Sequence, residues 1–372
     1  MSTPHFDRIV FTGASGAVGA HLVRDLAAAH PEAEIICIVR GESAATRLAR
    51  AVGEDLLERL EVATADLTSA EAMESLTERT APAGRVLAIH CAADVSWTKS
   101  ERLLAPINVG GTECFAEYVR RTSVQRPCLV MLSTAFLSDE GAHRNAYEKT
   151  KLTAENLLLD GYARDVDLLI VRCSLIVGAS SNGHVSRFNG LYPLVRLVAL
   201  AEVPCVVADR RYKIDVVPVD FVASEIRTGI EQCVASGSPL RIVAAAGDEK
   251  SIDIGVLVRE IQARTNRMRQ RHGLDDAPSV SVISRRQYDF LMRASETWDM
   301  GSRFEKVEQI SALMEGYIAH GESGRAIEPL TIRPPLFASD YLDNVIDYWL
   351  DQNLARVLAA GQPQWLEPEA LT

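Results

Sequence analysis

The chain is poor in the features that mark secreted, membrane-spanning and metal-binding proteins. Its seven cysteines are odd in number, scattered and never spaced as Cys-x-x-Cys, so we expect reduced thiols rather than a disulfide framework. Asp7 and Arg8 interrupt any apolar run near the N-terminus, and no signal peptide is expected. The most apolar later stretch, residues 191–207, contains Arg196 and Glu202 and is too charged for an easy membrane span. These absences favour a cytoplasmic protein.

The sequence also has no excess of basic residues and no residue spacing typical of metal ligands. The formal net charge of −11 disfavours nucleic acid or an anionic membrane as the main partner, because both select basic surfaces. The histidines show no spacing such as His-Glu-x-x-His, and no metal site is expected. What is present, 47% hydrophobic and 24% charged residues in a chain of 372, is typical of a globular protein with a large core.

The first half of the chain alternates short apolar runs with amphipathic helical patterns. Six apolar, β-rich runs predict strands, at residues 8–11, 34–39, 60–64, 86–90, 128–132 and 168–171. Continuous apolar strands between helices predict an α/β protein with a doubly wound parallel sheet, the Rossmann fold. Ligands of such sheets bind at the carboxyl ends of the strands.

After about residue 180 this alternation becomes irregular. Residues 179–190 are rich in Ser, Asn and Gly and predict a loop, whereas residues 240–243 predict a strand that returns to the main sheet. The last hundred residues are mostly helical in pattern, and a single helix with an apolar stripe is predicted over 341–357. We therefore predict two units, listed by residues: a dinucleotide-binding domain of 1–180, rejoined by 215–246, and a smaller, mostly helical substrate-binding domain of 181–214 and 247–372.

A glycine-rich segment directly after the first strand predicts a dinucleotide site. Gly13, Gly16 and Gly19 allow a tight turn, close approach of the backbone to a pyrophosphate and tight packing of the next helix. The N-terminus of that helix offers free N–H groups and a favourable dipole to phosphate. The predicted phosphate-binding turn consists of Thr12, Gly13, Ser15, Gly16, Ala17, Val18 and Gly19.

The residue after the second strand indicates which dinucleotide is bound. NAD sites usually place Asp or Glu at that point, where the carboxylate holds the ribose 2′-hydroxyl. This chain has Arg40 there, and Arg47 follows in the next helix. Guanidinium groups suit a 2′-phosphate, so the sequence predicts NADP(H) as the cofactor.

Tyr147 and Lys151 form a second motif of chemical interest. They stand four residues apart and therefore share one face of a predicted helix. A nearby ammonium group lowers the pKa of a phenol, so we expect Tyr147 to exchange a proton near neutral pH. The preceding strand ends in Ser133 and Thr134, whose hydroxyls suit hydrogen bonding to a substrate oxygen.

These motifs, in this order, resemble the extended short-chain dehydrogenase/reductases over about the first 250 residues. The chain is most similar to the male-sterility branch, which contains fatty acyl-CoA reductases and terminal thioester reductase domains. The strings that carry this closer resemblance are Ile38-Val39-Arg40, Ile89-His90-Cys91-Ala92-Ala93, Asn108-Val109-x-Gly111-Thr112, Leu132-Ser133-Thr134-Ala135-Phe136, Lys151-x-x-x-Glu155 and Val217-Pro218-Val219-Asp220. Epimerases of nucleotide sugars and hydroxysteroid dehydrogenases share some of them.

The resemblance implies roles for individual residues. Thr134, with Ser133 as a competitor, matches the catalytic hydroxyl, and Tyr147 matches the proton donor. Lys151 matches the residue that holds the nicotinamide ribose and tunes Tyr147. The other positions implied to line the cofactor follow the third, fourth, fifth and sixth strands or lie in the helix after the fourth: Asp66, Leu67, Cys91, Ala92, Ala93, Asn108, Ser133, Arg172, Cys173 and Ser174.

Two further residues stand close to this implied site. His90 ends a buried strand, and we expect a hydrogen-bonded core residue there rather than a ligand. Trp97 follows in a predicted loop, where it either lines the substrate entrance or packs the loop. The C-terminal region is only faintly similar to the male-sterility branch, at Met314-Glu-Gly-Tyr317 and at Phe337.

The implied activity is NADPH-dependent reduction of an acyl thioester, or of the aldehyde derived from it. The substrate is expected as a small molecule, on coenzyme A, or tethered to an acyl carrier protein. The superfamily leaves open a ketone reductase or hydroxysteroid-type dehydrogenase, a nucleotide-sugar epimerase, and a non-catalytic NADP-sensing protein. No sequence feature selects an oligomeric state.

Overall fold

Strands and helices alternate along most of the chain in the computed structural model, which describes residues 4–137, 143–296 and 327–360. The strands are β1 (Arg8–Thr12), β2 (Glu34–Val39), β3 (Glu61–Thr64), β4 (Val86–His90), β5 (Cys128–Thr134), β6 (Asp167–Cys173), β7 (Leu175–Val177), β8 (Cys205–Val207), β9 (Lys213–Ile214), β10 (Val216–Pro218), β11 (Leu240–Ala244), β12 (Ile252–Asp253) and β13 (Ser281–Ile283). The α-helices are α1 (Ala17–Ala29), α2 (Glu42–Val52), α3 (Glu54–Leu57), α4 (Ala70–Arg79), α5 (Glu101–Ala105), α6 (Gly111–Thr122), α7 (Ala146–Gly161), α8 (Tyr192–Ala199), α9 (Val219–Ser236), α10 (Ile254–Arg271), α11 (Arg285–Glu296), α12 (Leu342–Gln352) and α13 (Leu354–Ala359). A π-helical turn, Pro106–Gly110, precedes α6, and a 3-10 turn, Ala338–Asp340, precedes α12.

Seven strands form one parallel sheet in the order β11-β6-β5-β4-β1-β2-β3. This confirms the predicted doubly wound fold, and β11 returns to the sheet beside β6 as the sequence indicated. The direction of strand succession reverses between β1 and β4. In sheets of this kind the crevice at that reversal, outside the carboxyl ends of the strands, is where ligands bind.

Helices cover both faces of the sheet because the strands are apolar on both sides. On one face, α1, α2 and α9 pack on strand residues such as Ile9, Phe11 and Leu87. On the other face, α4, α6 and α7 pack on the alternating set that includes Val10 and Met131. The period of two along each strand sends successive side chains to opposite faces. The sheet is therefore rigid enough to hold loops at its carboxyl edge in fixed positions.

A second apolar cluster forms from α8, α10, α12 and small two-stranded pairs outside the main sheet. The stripe predicted over 341–357 is buried in it, at Leu342, Val345, Ile346 and Trp349. The predicted single helix is wrong in one respect, because it is divided at Asn353. The Asn353 backbone N–H and side-chain amide both donate to the Trp349 carbonyl, and this local bonding ends α12.

The free edge of β11 is covered by the chain that precedes α12. Leu330 forms an antiparallel bridge with Val243, and the buried Glu225 carboxylate accepts the N–H groups of Ile332 and Arg333 at 2.6 and 2.9 Å. The faint resemblance at Met314-Glu-Gly-Tyr317 lies outside the described residues. None of the helices in the described ranges combines the length and apolar character that a bilayer span requires.

Candidate active site

The phosphate-binding turn follows β1 and has room for glycine only. Gly13 has a φ of +71°, and a Cβ there would lie 2.6 Å from the backbone N of Ala92 and 2.6 Å from the carbonyl carbon of Cys91. A Cβ on Gly19 would lie 2.2 Å from the carbonyl oxygen of Gly13. Gly16 caps α1 without a side-chain hydrogen bond, so the first-turn N–H groups stay available to an anion. The turn therefore fits a pyrophosphate.

The other residues predicted in this turn accompany the glycines. Thr12 is the last, fully buried residue of β1, and Ser15 is half-buried in the turn itself. Ala17 and Val18 form the first turn of α1, where Val18 is buried against the sheet. The Cys91 N–H donates to the Thr12 carbonyl at 3.0 Å, which joins the start of the turn to the end of β4.

A group of charges lies where β2 and β3 end. Arg40 follows β2 and is exposed, and Arg47 in α2 donates to the Ser43 hydroxyl at 3.0 Å. The backbone N–H of Thr68, with the charge of Arg40 as a smaller cause, holds the pKa of Asp66 below its ordinary value. Arg40 and Asp66 are thus near enough to interact at the edge where an adenosine would bind. Leu67, beside Asp66, is half-buried against Gly111 in α6.

Two thiols, Cys91 and Cys173, stand at the carboxyl ends of β4 and β6. Burial raises the pKa of Cys91 to about 12 and that of Cys173 to about 12. Both side chains are therefore neutral thiols near pH 7 and serve as apolar surface rather than as nucleophiles. Ala92 and Ala93 follow Cys91 in the chain and are half-buried.

Helix α7 carries the Tyr–Lys pair on its first two turns. Asn145 caps the helix, its side-chain oxygen accepting the Glu148 N–H at 2.9 Å. Tyr147 is half-buried and Lys151 is buried. The cap fixes where α7 begins, and with it the position of both side chains.

The predicted lowering of the Tyr147 pKa by Lys151 is wrong. Burial, followed by smaller effects of Cys173 and Glu148, raises the pKa of Tyr147 instead. Burial also lowers the pKa of Lys151 to about 8, although Glu155, Cys91 and Cys173 oppose this shift. Desolvation disfavours the charged phenolate, so Tyr147 keeps its proton at neutral pH. A protonated phenol is what a proton donor requires.

Both candidate hydroxyls stand at the end of β5. The Thr134 hydroxyl oxygen accepts the Phe136 N–H at 3.3 Å, which leaves its own proton available to another acceptor. The Ser133 hydroxyl is buried and has no hydrogen-bond partner within the described ranges. The geometry of β5 therefore supplies donors at the carboxyl edge of the sheet.

Two residues implied to line the cofactor form hydrogen bonds with other groups of the protein. The Arg172 guanidinium donates to the buried Glu155 carboxylate, with its Nη2 atom 2.8 Å from Oε2. Asn108 donates both amide protons inside the protein, to the Asp94 carbonyl at 3.0 Å and to the Thr150 hydroxyl at 3.1 Å. These bonds position α7 and the loop after β4, and the place of both residues in the lining of the cofactor site stays a prediction. The position of Glu155, four residues after Lys151, was the sequence signal that pointed to its pairing with Arg172.

The remaining site predictions concern Ser174, His90 and Trp97. Ser174 follows β6, is buried, and donates its N–H to the Ala244 carbonyl at 3.1 Å. His90 is a buried residue whose two ring nitrogens lie 2.7 and 2.9 Å from threonine hydroxyls, which confirms a hydrogen-bonded core position. Trp97 is half-buried against the second apolar cluster. Within the described ranges, no group of three or more potential ligands could hold a metal ion.

The site combines a glycine turn at the strand reversal with a Tyr-x-x-x-Lys helix beside the β5 hydroxyls. This combination defines an oxidoreductase of the extended short-chain dehydrogenase/reductase type. Such proteins bind a nicotinamide cofactor at this turn. The model of the Male sterility protein family matches residues 11–144 and 131–226, and the chain belongs to that family.

Curated relatives include much longer proteins. The chain is 28% identical to an isonitrile lipopeptide synthase of Streptomyces coeruleorubidus over 251 residues, 59% of this chain and 16% of that protein. It is 24% identical to the glycine betaine reductase ATRR of Emericella nidulans over 270 residues, 61% of this chain and 20% of that protein. The chain thus matches a fifth or less of the length of these two relatives.

Solved structures share the fold. The terminal R domain from the myxalamid PKS-NRPS biosynthetic pathway has a TM-score of 0.66 at 16% identity, covering 97% of this chain and 94% of that one. The PhqB reductase domain from Penicillium fellutanum has a TM-score of 0.62 at 18% identity, covering 94% of both chains. A UDP-glucose 4-epimerase of Thermus thermophilus in complex with NAD has a TM-score of 0.51 at 20% identity, covering 74% of this chain and 86% of that one.

The close packing of the turn predicts the effect of Gly13→Ala. The added methyl group would collide with backbone atoms of Cys91 and Ala92 and force a positive φ on alanine. Strain of about 1–3 kcal/mol should weaken NADPH binding by about tenfold or more in isothermal titration calorimetry. The matched control is Gly161→Ala, where a Cβ meets no heavy atom within 4 Å. Equal NADPH affinity in both variants would contradict this account of the turn.

The pKa of Lys151 predicts a pH profile. Because that pKa is about 8, Lys151 carries its charge below pH 8 and loses it above. We expect kcat/KM for NADPH-dependent reduction to be level below that pH and to fall above it, since kcat/KM follows groups of the free enzyme. Lys151→Arg should remove the fall, because arginine stays charged throughout. A wild-type profile that stays level well above pH 8 would rule out a role for the Lys151 charge.

Proposed function

We propose that this chain reduces an acyl thioester, carried on coenzyme A or on an acyl carrier protein, or the aldehyde derived from it, with NADPH as reductant. The observation that carries the proposal is the position of Tyr147 one helical turn before the buried Lys151, at the carboxyl edge of the sheet that also carries the β5 hydroxyls. The membership of the Male sterility protein family supports reductive chemistry. The relative named as an isonitrile lipopeptide synthase, and the solved R domain of a PKS-NRPS pathway, support a carrier-bound substrate.

The preference for NADPH rests on Arg40. It is exposed directly after β2, and its charge lowers the pKa of Asp66 and of Asp94 as a minor cause. A guanidinium group at this point can bind the 2′-phosphate with two parallel hydrogen bonds. Arg47 in α2 is also exposed and is able to bind the same phosphate.

The residues of the site divide the chemistry between them. A bound nicotinamide in its reduced form supplies the hydride. Thr134 donates a hydrogen bond to the substrate oxygen and so stabilises negative charge that develops there. Once hydride has added to the carbonyl carbon, Tyr147 gives its proton to the same oxygen, so that a thioester becomes a hemithioacetal, which separates into aldehyde and thiol. Lys151, when charged, holds the nicotinamide ribose and favours the tyrosinate that proton transfer leaves behind.

The substrate is proposed to bind between the carboxyl edge of the sheet and the second apolar cluster. Residues 181–214 and 247–372 are proposed as the substrate-binding domain, with Trp97 near its entrance because it packs on that cluster. Ser174 and Cys173, at the end of β6, are proposed to face the nicotinamide end of the cofactor.

An epimerase is the second candidate function, favoured by the fold shared with a UDP-glucose 4-epimerase. Epimerases of this kind hold their nicotinamide tightly and consume none in net terms. The proposed reductase instead consumes NADPH with every turnover. Net NADPH oxidation in the presence of a thioester or aldehyde therefore separates the two functions.

Replacing Arg40 tests the choice of nucleotide. Arg40→Ala removes a charged partner of the 2′-phosphate, and charged hydrogen bonds contribute enough to expect a loss of about tenfold to a hundredfold in NADPH affinity. NADH affinity should not change, because NADH has no 2′-phosphate. Arg50→Ala, an exposed arginine in the same region, is the matched control. Equal losses for NADPH and NADH would contradict the assignment of Arg40.

Tyr147→Phe tests the proposed proton donor. The variant keeps the ring but lacks the hydroxyl, so turnover should fall by about a hundredfold to ten-thousandfold. NADPH affinity, measured by calorimetry, should stay close to the wild-type value. Tyr162→Phe changes a half-buried tyrosine at the other end of α7 and should leave turnover unchanged. NADPH oxidation by Tyr147→Phe at the wild-type rate would refute the assignment.

A further inference from the structure

Hydrogen bonds between buried side chains connect the end of β1 to the start of α6. The Thr12 hydroxyl lies 2.7 Å from Nδ1 of His90. Nε2 of His90 lies 2.9 Å from the Thr112 hydroxyl oxygen. The Thr112 hydroxyl in turn donates to the carbonyl of Asn108 at 2.8 Å. The line of contacts thus crosses from β1 through β4 to the π-helical turn before α6.

The same line continues from the π-helical turn into α7. The Asn108 side-chain amide donates to the Thr150 hydroxyl at 3.1 Å. The Thr150 hydroxyl donates to the backbone carbonyl of Tyr147 at 2.9 Å. The line therefore begins at Thr12, the first residue of the phosphate-binding turn, and ends on the backbone of the proposed proton donor. We call the five side chains the buried network: Thr12, His90, Thr112, Asn108 and Thr150.

Burial protects the network from competition by solvent. No member has more than 1% of its surface exposed. A buried polar group that loses its partner bears the full cost of desolvation, so each bond is more expensive to break than the same bond at the surface. A shift of a residue at one end of the network therefore requires buried hydrogen bonds to break.

The donors and acceptors of the network fit a single pattern. The Thr112 hydroxyl donates its only proton to the Asn108 carbonyl, so its oxygen accepts the Nε2 proton of His90. Nδ1 of His90 then accepts the Thr12 hydroxyl proton. Burial, with the charge of Lys151 as a smaller cause, lowers the pKa of His90 to about 3, so the ring has the one proton that this pattern needs.

We propose that His90 and Thr112 are positioning residues, which through the buried network keep Tyr147 in register with the phosphate-binding turn. Gly13 is packed against Cys91 and Ala92, so a nucleotide seated on the turn also restrains the end of β4 and His90. The restraint passes through Thr112 and Asn108 to the first turn of α7. The inference rests on the proposed function in taking Tyr147 as the proton donor.

The test compares two threonines of α6. Thr112→Val keeps the shape of the side chain but removes the hydroxyl that joins His90 to Asn108. Thr122→Val is the matched control, because Thr122 is equally buried at 1% and donates to a carbonyl of its own helix at 2.9 Å. Hydrogen–deuterium exchange of the peptide covering residues 145–151 is measured for the full chain, without nucleotide and with saturating NADPH.

We expect Thr112→Val to exchange about tenfold faster than wild type in this peptide, and to lose most of the additional protection that NADPH gives. Thr122→Val should match wild type, although both variants lose similar thermal stability. The affinity for NADPH should stay within about threefold, whereas kcat falls by about tenfold through misplacement of Tyr147. Thr112→Ser, which keeps the hydroxyl, should restore both the protection and kcat.

Equal exchange in the Thr112→Val and Thr122→Val proteins would overturn the proposal, as would unchanged NADPH-dependent protection in Thr112→Val. The nucleotide-free comparison does not depend on turnover. A wild-type protein that reduces no thioester or aldehyde would therefore refute the proposed function alone, while the exchange difference would still decide the role of the network.

Discussion

The approach of Gly13 to the backbone of Cys91 and Ala92 is the contact on which the site depends. It brings the end of β1 against the end of β4 at the point where the strand order reverses. A side chain at position 13 would separate these ends, and the turn would no longer present its N–H groups to a phosphate. The cofactor turn, His90 and the loop that carries Trp97 all take their positions from this junction.

Polar groups around the junction have few alternatives because they are buried. Asn108 and Arg172, which the resemblance implies to line the cofactor, are each held by partners within the protein, Asp94 and Thr150 for the first and Glu155 for the second. Their contribution is to fix where α7 lies. The same burial raises the pKa of Tyr147 and lowers that of Lys151 to about 8, so desolvation sets the acid–base character of the pair.

Local signals in the sequence were sufficient for the sheet and for the turn. Apolar runs of strand length and helical periodicity locate β1 to β6 within a few residues, and the glycines of the turn have only one common structural use. The division at Asn353 was missed, because it depends on bonds to Trp349 that periodicity does not report. The short parallel pairs β7–β10 and β8–β13 join distant segments and have no local signature.

The site was predicted less completely than the fold for the same reason. Spacing shows that Tyr147, Lys151 and Glu155 share a face of α7, but it does not show how deeply that face is buried. The sign of the Tyr147 pKa shift follows from desolvation, which only the packed structure determines. The partnership of His90 with Thr112 likewise crosses from β4 to α6.

The central claim is hydride transfer to the carbonyl carbon of an acyl thioester or its aldehyde. It is tested most directly with NADPH deuterated at the transferable C4 position, offered with acyl-CoA and carrier-bound thioesters. Mass spectrometry of the products should find deuterium on the former carbonyl carbon, in proportion to the NADPH oxidised. Conversion of a nucleotide sugar without net NADPH oxidation, and no label in any thioester-derived product, would contradict the account.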